Sequence, residues 1–214
     1  MSKIGELYRT CRKFRTSFVC ALLSTLYYRV RGKHIVAHTK VTIRGLKNIK
    51  IAPGGSLWAG TFFGFSHKKD VTLLNIEGEL QVNHAAFARG SRIDIGEKGL
   101  IVIGDNTSIN PFTRLLIQHK LVIGSNCLIS WNCQILDEDF HTIDYPDKKN
   151  GQSPAIIIGD HVWIGSNTSI YKGVEIGDGC VIAANSVVKT SFPGNNLLIA
   201  GNPARVVKEN VTWH

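Results

Sequence analysis

Aliphatic residues recur at every sixth position across the last third of the chain: Ile158, Ile164, Ile170, Ile176, Ile182 and Val188. Four residues after each of the first five stands a small side chain: Val162, Thr168, Val174, Cys180 and Ser186. Immediately before it come His161, Asn167, Gly173, Gly179 and Asn185. Asn and Gly, and to a lesser degree His, tolerate a left-handed backbone, so this column predicts corners. Each hexapeptide is then a short strand plus a turn, with one large and one small residue pointing inward. A sustained internal period outranks local propensity in setting the architecture.

The same pattern runs upstream with interruptions. Ile103 and Ile109 carry Thr107 and Thr113 in the small column, and Ile123 and Ile129 carry Cys127 and Cys133. Earlier members are Ile43 and Ile49, then Ile51, Leu57 and Phe63, then Ile76, Val82 and Ala88, then Ile95 and Ile101. The phase slips by two at places such as Ile101 and Ile103, which predicts coil boundaries or bulges. Three hexapeptides per coil make a triangular prism of parallel strands, and stacked coils bury one continuous aliphatic ladder. Trp163 falls at an outward position of its repeat, where the ladder has no use for it. Asn132 falls in the corner column, whereas Trp131 has no packing reason inside a prism.

Residues 1–31 lack the repeat. Ile4, Leu7, Tyr8, Cys11, Phe14, Phe18 and Leu22 follow three-and-four spacing, which predicts an amphipathic helix. Lys3, Arg9, Arg12, Lys13 and Arg15 crowd its first half. The apolar run from Phe18 to Tyr28 is too short to span a bilayer. Two uses fit: docking near Trp58, Phe62 and Phe65 or on a neighbouring subunit, and interfacial contact with a membrane through the basic face. The organisation expected is a helical segment over 1–31, a β-helix over 32–208 with a loop at 136–157, and a tail over 209–214.

That loop stops the rhythm between Ile135 and Ile158. Long polar excursions from a rigid solenoid are commonly functional or disordered. This one carries Asp137, Asp139 and His141, followed by Asp144. A carboxylate two residues before a histidine can fix its tautomer and raise its basicity, which suits a general base.

A net charge of +9 over 214 residues favours anionic partners such as phosphates, acidic sugars or lipid headgroups. No nucleic-acid-binding signature accompanies it. The length suits one domain with a substantial core. Of five cysteines, Cys127, Cys133 and Cys180 occupy the small inward column, where core packing explains them. The odd count and the lack of a signal peptide predict a reducing cytoplasm. No CxxC pair points to zinc.

The stretches SWNCQILDEDFHTIDY and IIIGDHVWIGSNTSIYKGVEIGDGCVIAANSVVKTSFPGNNLLIAGNPARVV resemble the hexapeptide-repeat sugar O-acetyltransferases. These include the galactoside and maltose acetyltransferases and those that decorate capsule and O-antigen sugars. The likeness is specific over about 95–208 and vaguer over 35–94. It implies a left-handed β-helix, although parallel crossovers are generally right-handed. It implies acetyl-CoA as co-substrate, no metal, and homotrimers with sites between prisms. The acceptor implied is a sugar hydroxyl, of a surface polysaccharide or its lipid-linked precursor at the inner membrane face. It makes His141 the general base, and the two-residue spacing makes Asp139 the residue that orients it. It sets Trp163, Ser166, Ala183 and Ala184 along the pantetheine arm. Lys189 stands one position from the family's basic residue, and Arg205 stands where the family meets the nucleotide phosphates. Asn110 and Trp131 are positioned as acceptor contacts, with Trp131 alternatively touching a neighbouring subunit.

Three rival readings share the fold. A nucleotide-sugar N-acetyltransferase would keep His141 and the coenzyme site, although no N-terminal nucleotide-binding βαβ unit is recognisable. A zinc carbonic anhydrase-like β-helix needs three histidines on facing coils, and His119, His141 and His161 lack that spacing. A non-catalytic scaffold has no reason to combine a polar His loop with HVWIG and GNPAR.

Overall fold

The computed structural model describes residues 3–141 and 154–214. From Ile35 onward the chain winds as a left-handed parallel β-helix with three faces. Face one stacks Leu100–Ile103, Lys120–Ile123, Ile156–Ile158 and Glu175–Ile176. Face two stacks Thr107–Ile109, Leu128–Ile129, Trp163–Ile164, Val181–Ile182 and Leu198–Gly201. Face three stacks Val41–Arg44, Thr72–Ile76, Arg92–Ile95, Arg114–Ile117, Gln134–Leu136, Ser169–Tyr171 and Val187–Val188. The long strands Ile49–Thr61 and Glu79–Ala88 bend through both face one and face two. Ala204–Lys208 turns back antiparallel and closes the C-terminal end.

The expected ladder forms the core: Ile158, Ile164, Ile170, Ile176, Ile182 and Val188 are all buried. Every predicted corner in that stretch has positive φ, namely His161, Asn167, Gly173, Gly179 and Asn185. The corner amides also form a ladder of their own. Asn132 donates to Asn167 Oδ1 at 2.7 Å, and Asn167 to Asn185 Oδ1 at 3.2 Å. The cysteines of the small column are buried and free, and burial pushes the Cys133 thiol up to about 11.

The slip at Ile101 and Ile103 is neither a boundary nor a bulge. Both residues lie inward on one strand with unbroken register. The upstream coils are longer, and the pairs Ile93/Ile95, Leu115/Ile117 and Leu121/Ile123 are buried in the same way. Register shifts occur instead between Ile51 and Ser56 and between Ala59 and Thr61. Phe63, expected in the ladder, stands outside on an exposed loop.

The N-terminal segment is two helices, not one: α1 (Lys3–Lys13) and α2 (Phe18–Val30). Arg15 takes φ +51, and Ser17 caps α2 by accepting from the Cys20 N–H at 3.2 Å. A side-chain acceptor at this position starts a new helix. Leu7, Cys11 and Ala21 pack with Val36 and Trp58 of the first coil. Phe14 stacks on Phe62 at 4.5 Å. Phe65 takes no part in that docking. Among the described residues, no helix is long and apolar enough to cross a membrane.

Candidate active site

The edge between faces two and three carries the site. Its corners stack in line: Asn132 N–H donates to Pro111 O, Asn167 N–H to Trp131 O, and Asn185 N–H to Ser166 O. Beside this edge runs a cleft of about 440 Å³. Asn110, Trp131, Trp163, Ser166, Ala183 and Ala184 all line it. The six residues come from four successive coils, and the coil period brings them to one edge.

The chemistry of the lining is mixed by construction. Outward positions of face two supply Leu128, Trp163, Val181 and Leu198. The corners supply backbone and small side chains. A Cβ added at Gly165 would lie 2.5 Å from Ala184 N and 2.8 Å from Ile182 O, so the floor admits no side chain there. A flat floor bordered by an indole suits a slim chain of alternating methylenes and amides. Trp163 is fixed rather than loose, because its Nε1–H donates to Ser130 Oγ at 3.1 Å. Asn110 is buried, and its backbone carbonyl accepts from Ser91 Oγ at 3.2 Å.

The other expected residues fall elsewhere. Arg205 lies on the closing strand opposite Ala200, beyond Leu198 at the C-terminal end of the cleft. Its Nη1 donates to Ala204 O at 2.9 Å. Lys189 is exposed just after Val187–Val188, one corner further round the prism, and does not line the cleft.

His141 and Asp139 leave from the edge between faces three and one, after Gln134–Leu136. The departure is anchored by Asp137, which is fully buried in line with Ile117. Its carboxylate accepts three backbone N–H groups, from Gln118 at 2.7 Å and from His119 and Lys120 at 2.8 Å. Glu138 pairs with His119 at 2.9 Å, which holds the Glu138 carboxyl below its ordinary value. Asp139 pairs with Lys172 at 2.5 Å. Among the described residues, the carboxylate of Asp139 therefore meets Lys172 and not His141. His141 is exposed and does not line the cleft of its own chain. Asp144 lies outside the described residues.

Three contributors carried no sequence signal. Phe63 reaches the cleft from an excursion near the N-terminal end. Ser130 positions the indole. Trp213, in the tail, stacks on His161 at 4.3 Å and donates its Nε1–H to His161 O at 2.8 Å, placing its ring 6.1 Å from Trp163. His119 and His161 are thus engaged separately, with Glu138 and Trp213. Among the described residues, no three His, Cys, Asp or Glu side chains converge.

The profile of the bacterial transferase hexapeptide (six repeats) matches residues 155–190. An uncharacterized 24.8 kDa protein in the cps region of Klebsiella pneumoniae is 38% identical over all of this chain and 96% of its own length. WbbJ of Escherichia coli K12, provisionally named a lipopolysaccharide biosynthesis O-acetyl transferase, is 33% identical over 56% of this chain and 66% of its own length. The crystal structure of the hexapeptide-repeat containing acetyltransferase VCA0836 from Vibrio cholerae superposes with a TM-score of 0.51. That match has 33% identity over 59% of this chain and 70% of that one. The repeat, the prism and its cornered cleft define a hexapeptide acyltransferase. The chain belongs to the hexapeptide-repeat acetyltransferases.

Proposed function

We propose that the protein transfers the acetyl group of acetyl-CoA to a hydroxyl of a surface polysaccharide or of its lipid-linked precursor. The observation that carries this reading is the single cleft joining Trp163, Ser166, Ala183 and Ala184 to Asn110 and Trp131. The first four border the pantetheine arm, and the last two meet the acceptor. Arg205 lies beyond one end of the cleft, where a guanidinium can pair with the coenzyme's phosphates. Lys189 is the more distant contributor to that charge.

His141 acts as general base. A free alcohol is a poor nucleophile, so its proton must leave as the oxygen attacks the thioester carbon. The oxyanion that forms needs a donor, most simply a backbone N–H. Asp139, two residues away on the same loop, is the candidate to orient the imidazole once its ion pair with Lys172 opens. The loop leaves from one edge of the prism and the cleft runs along another. This favours a homotrimer in which the His141 loop of one protomer serves the cleft of the next. A cytoplasmic enzyme of this kind, working on a lipid-linked acceptor, gains from resting on an anionic membrane face.

The test incubates the protein and acetyl-CoA with a panel of bacterial surface oligosaccharides and follows the mass of each acceptor. The expected product carries one acetyl group that mild alkali removes, as an ester must. An alkali-stable product would make it an amide and transfer the assignment to N-acetylation. No acetylated product from any acceptor would sink the reading.

A further inference from the structure

The excursion at 62–71 joins face two to face three near the N-terminal end and is far longer than a corner. Three unfavourable features converge on it. The first is Arg89, which has no solvent exposure. Its guanidinium donates to Lys68 O at 3.1 Å, Asp70 O at 3.2 Å and Thr39 O at 2.6 Å, and lies 4.0 Å over the Phe62 ring. Its buried Nε has no partner among the described residues. Burying a guanidinium is costly, and this one holds the loop backbone in place.

The second feature is Phe112. The next three corners of its column are Asn132, Asn167 and Asn185, whereas Phe112 takes φ +63 itself. A bulky residue in that region is a genuine outlier. Its ring stacks on Phe65 at 6.0 Å, and its N–H donates to Arg89 O at 3.3 Å. Gly90 makes room for it, since a Cβ there would lie 2.5 Å from the Phe112 ring.

The third feature is the exposure of Phe63 and Phe65, at 41% and 53%. Their rings meet Trp131 at 6.0 and 5.5 Å, and Trp131 is itself 38% exposed. Phe63 and Trp131 both border the cleft, beside Asn110. Strain, a buried charge and exposed aromatic surface in one place point to function rather than packing.

We propose that Phe63, Phe65 and Trp131 form a rigid platform for sugar rings that flank the acetylated one, so that the acceptor is a chain of sugars and not a free monosaccharide. This deepens the O-acetyltransferase reading and rests on it. The C–H face of a pyranose is apolar and packs on an aromatic face, while its hydroxyls stay in water. A platform already ordered loses little entropy on binding, which is the use of the Arg89 and Phe112 clamps. Continuity with the cleft favours a glycan over a second copy of the chain. Arg89 is a positioning residue, because it acts through the loop.

The test is an array of bacterial oligosaccharides graded from monosaccharide to octasaccharide. It is probed with wild type, with the Phe63→Ala/Phe65→Ala double variant and with Arg89→Met. Wild type is expected to prefer the longer chains. The double variant, whose changes lie on the surface, is expected to lose that preference with roughly tenfold weaker binding and unchanged acetyl-CoA affinity. Arg89→Met should follow it, in KM rather than kcat. Equal binding of monosaccharides, an unchanged length profile in the double variant, or no binding at any length would overturn the platform. So would dissociation of the oligomer by the double variant, which would make the patch a subunit contact. If wild type binds long chains but acetylates none, the transferase reading fails and the platform stands.

Discussion

The Trp163 indole donates its Nε1–H to Ser130 Oγ at 3.1 Å, diagonally along face two between two stacked coils. That bond fixes the ring at the border of the cleft. Trp163→Ala is expected to raise the acetyl-CoA KM about tenfold, on the scale of one lost aromatic contact. Ser130→Ala should raise it about threefold, since the ring remains but loses its anchor. Tryptophan fluorescence on titration with coenzyme A checks both. Unchanged affinity in Trp163→Ala would remove the indole from the coenzyme site.

His141→Ala is expected to lower kcat by about two to four orders of magnitude, the usual share of a general base. Folding and coenzyme A affinity should persist, because the side chain is exposed and outside the ladder. Asp139→Asn should lose less. Since Asp139 pairs with Lys172, its two possible roles separate in the pH profile. Support of the imidazole predicts a shifted acid limb in kcat/KM, whereas a merely anchoring ion pair predicts a lower rate with the limb unmoved.

Arg205→Ala should weaken coenzyme A by about tenfold and dephospho-coenzyme A by less, because a charge-assisted bond to phosphate is lost. Isothermal titration with the two ligands measures the ratio. Equal weakening of both would mean that Arg205 does not meet the 3′-phosphate.

His38 is buried between α1 and the first coil, where its Nδ1 lies 3.9 Å from Cys11 Sγ and its ring faces Trp58 and Phe62. Burial, and then the charge of Arg89, push its pKa down to about 4. The folded protein keeps it neutral at pH values where the unfolded chain is protonated. Stability should therefore fall as pH drops from about 6.5 to about 4 and level off below, by on the order of 3 kcal/mol from this group. Urea melts of wild type and His38→Gln across that window compare the slopes. An equal slope in the variant would refute the assignment.

The membrane expectation changes face. The predicted stripe of α1 is partly consumed by docking, since Leu7 and Cys11 are buried. Ile4 and Tyr8 of α1 stay exposed, and the larger free apolar surface is the outer side of α2, with Val19, Leu23, Leu26, Tyr27 and Val30 exposed. Residues 1–33 hold eight Lys and Arg against one Glu, a net +7 of the chain's +9. Salt-sensitive sedimentation with anionic vesicles is expected, and Leu23→Ser with Val30→Ser should abolish it. Deleting the helices is the poorer test, because it would uncover Val36 and Trp58. Protein left in the supernatant at low salt would end the idea.

Repetition made the fold legible. Each inward residue recurs with its corner, so one hexapeptide predicts the next, and the left-handed φ values of Asn167, Gly173 and Asn185 were readable from residue type. Outward positions on such a lattice are also predictable, and Trp163, outward in its repeat, borders the cleft; Ser166, Ala183 and Ala184, singled out by family resemblance, line the same cleft.

What escaped the pattern lies off the lattice. An excursion leaves no periodic trace, so Phe63 passed for a ladder residue and became a cleft residue. The break between α1 and α2 turns on one cap, weaker in sequence than the spacing that runs through it. The partner of Asp139 is on the next coil, thirty-three residues away, and local spacing favoured a neighbour two residues off. The prism and the order of its outward columns follow from the repeat, because they depend on period alone. Which excursions fold back onto which corners is settled in three dimensions. Those contacts, from Phe65 on Phe112 to Trp213 on His161, rest on shape and burial between segments that share no repeat.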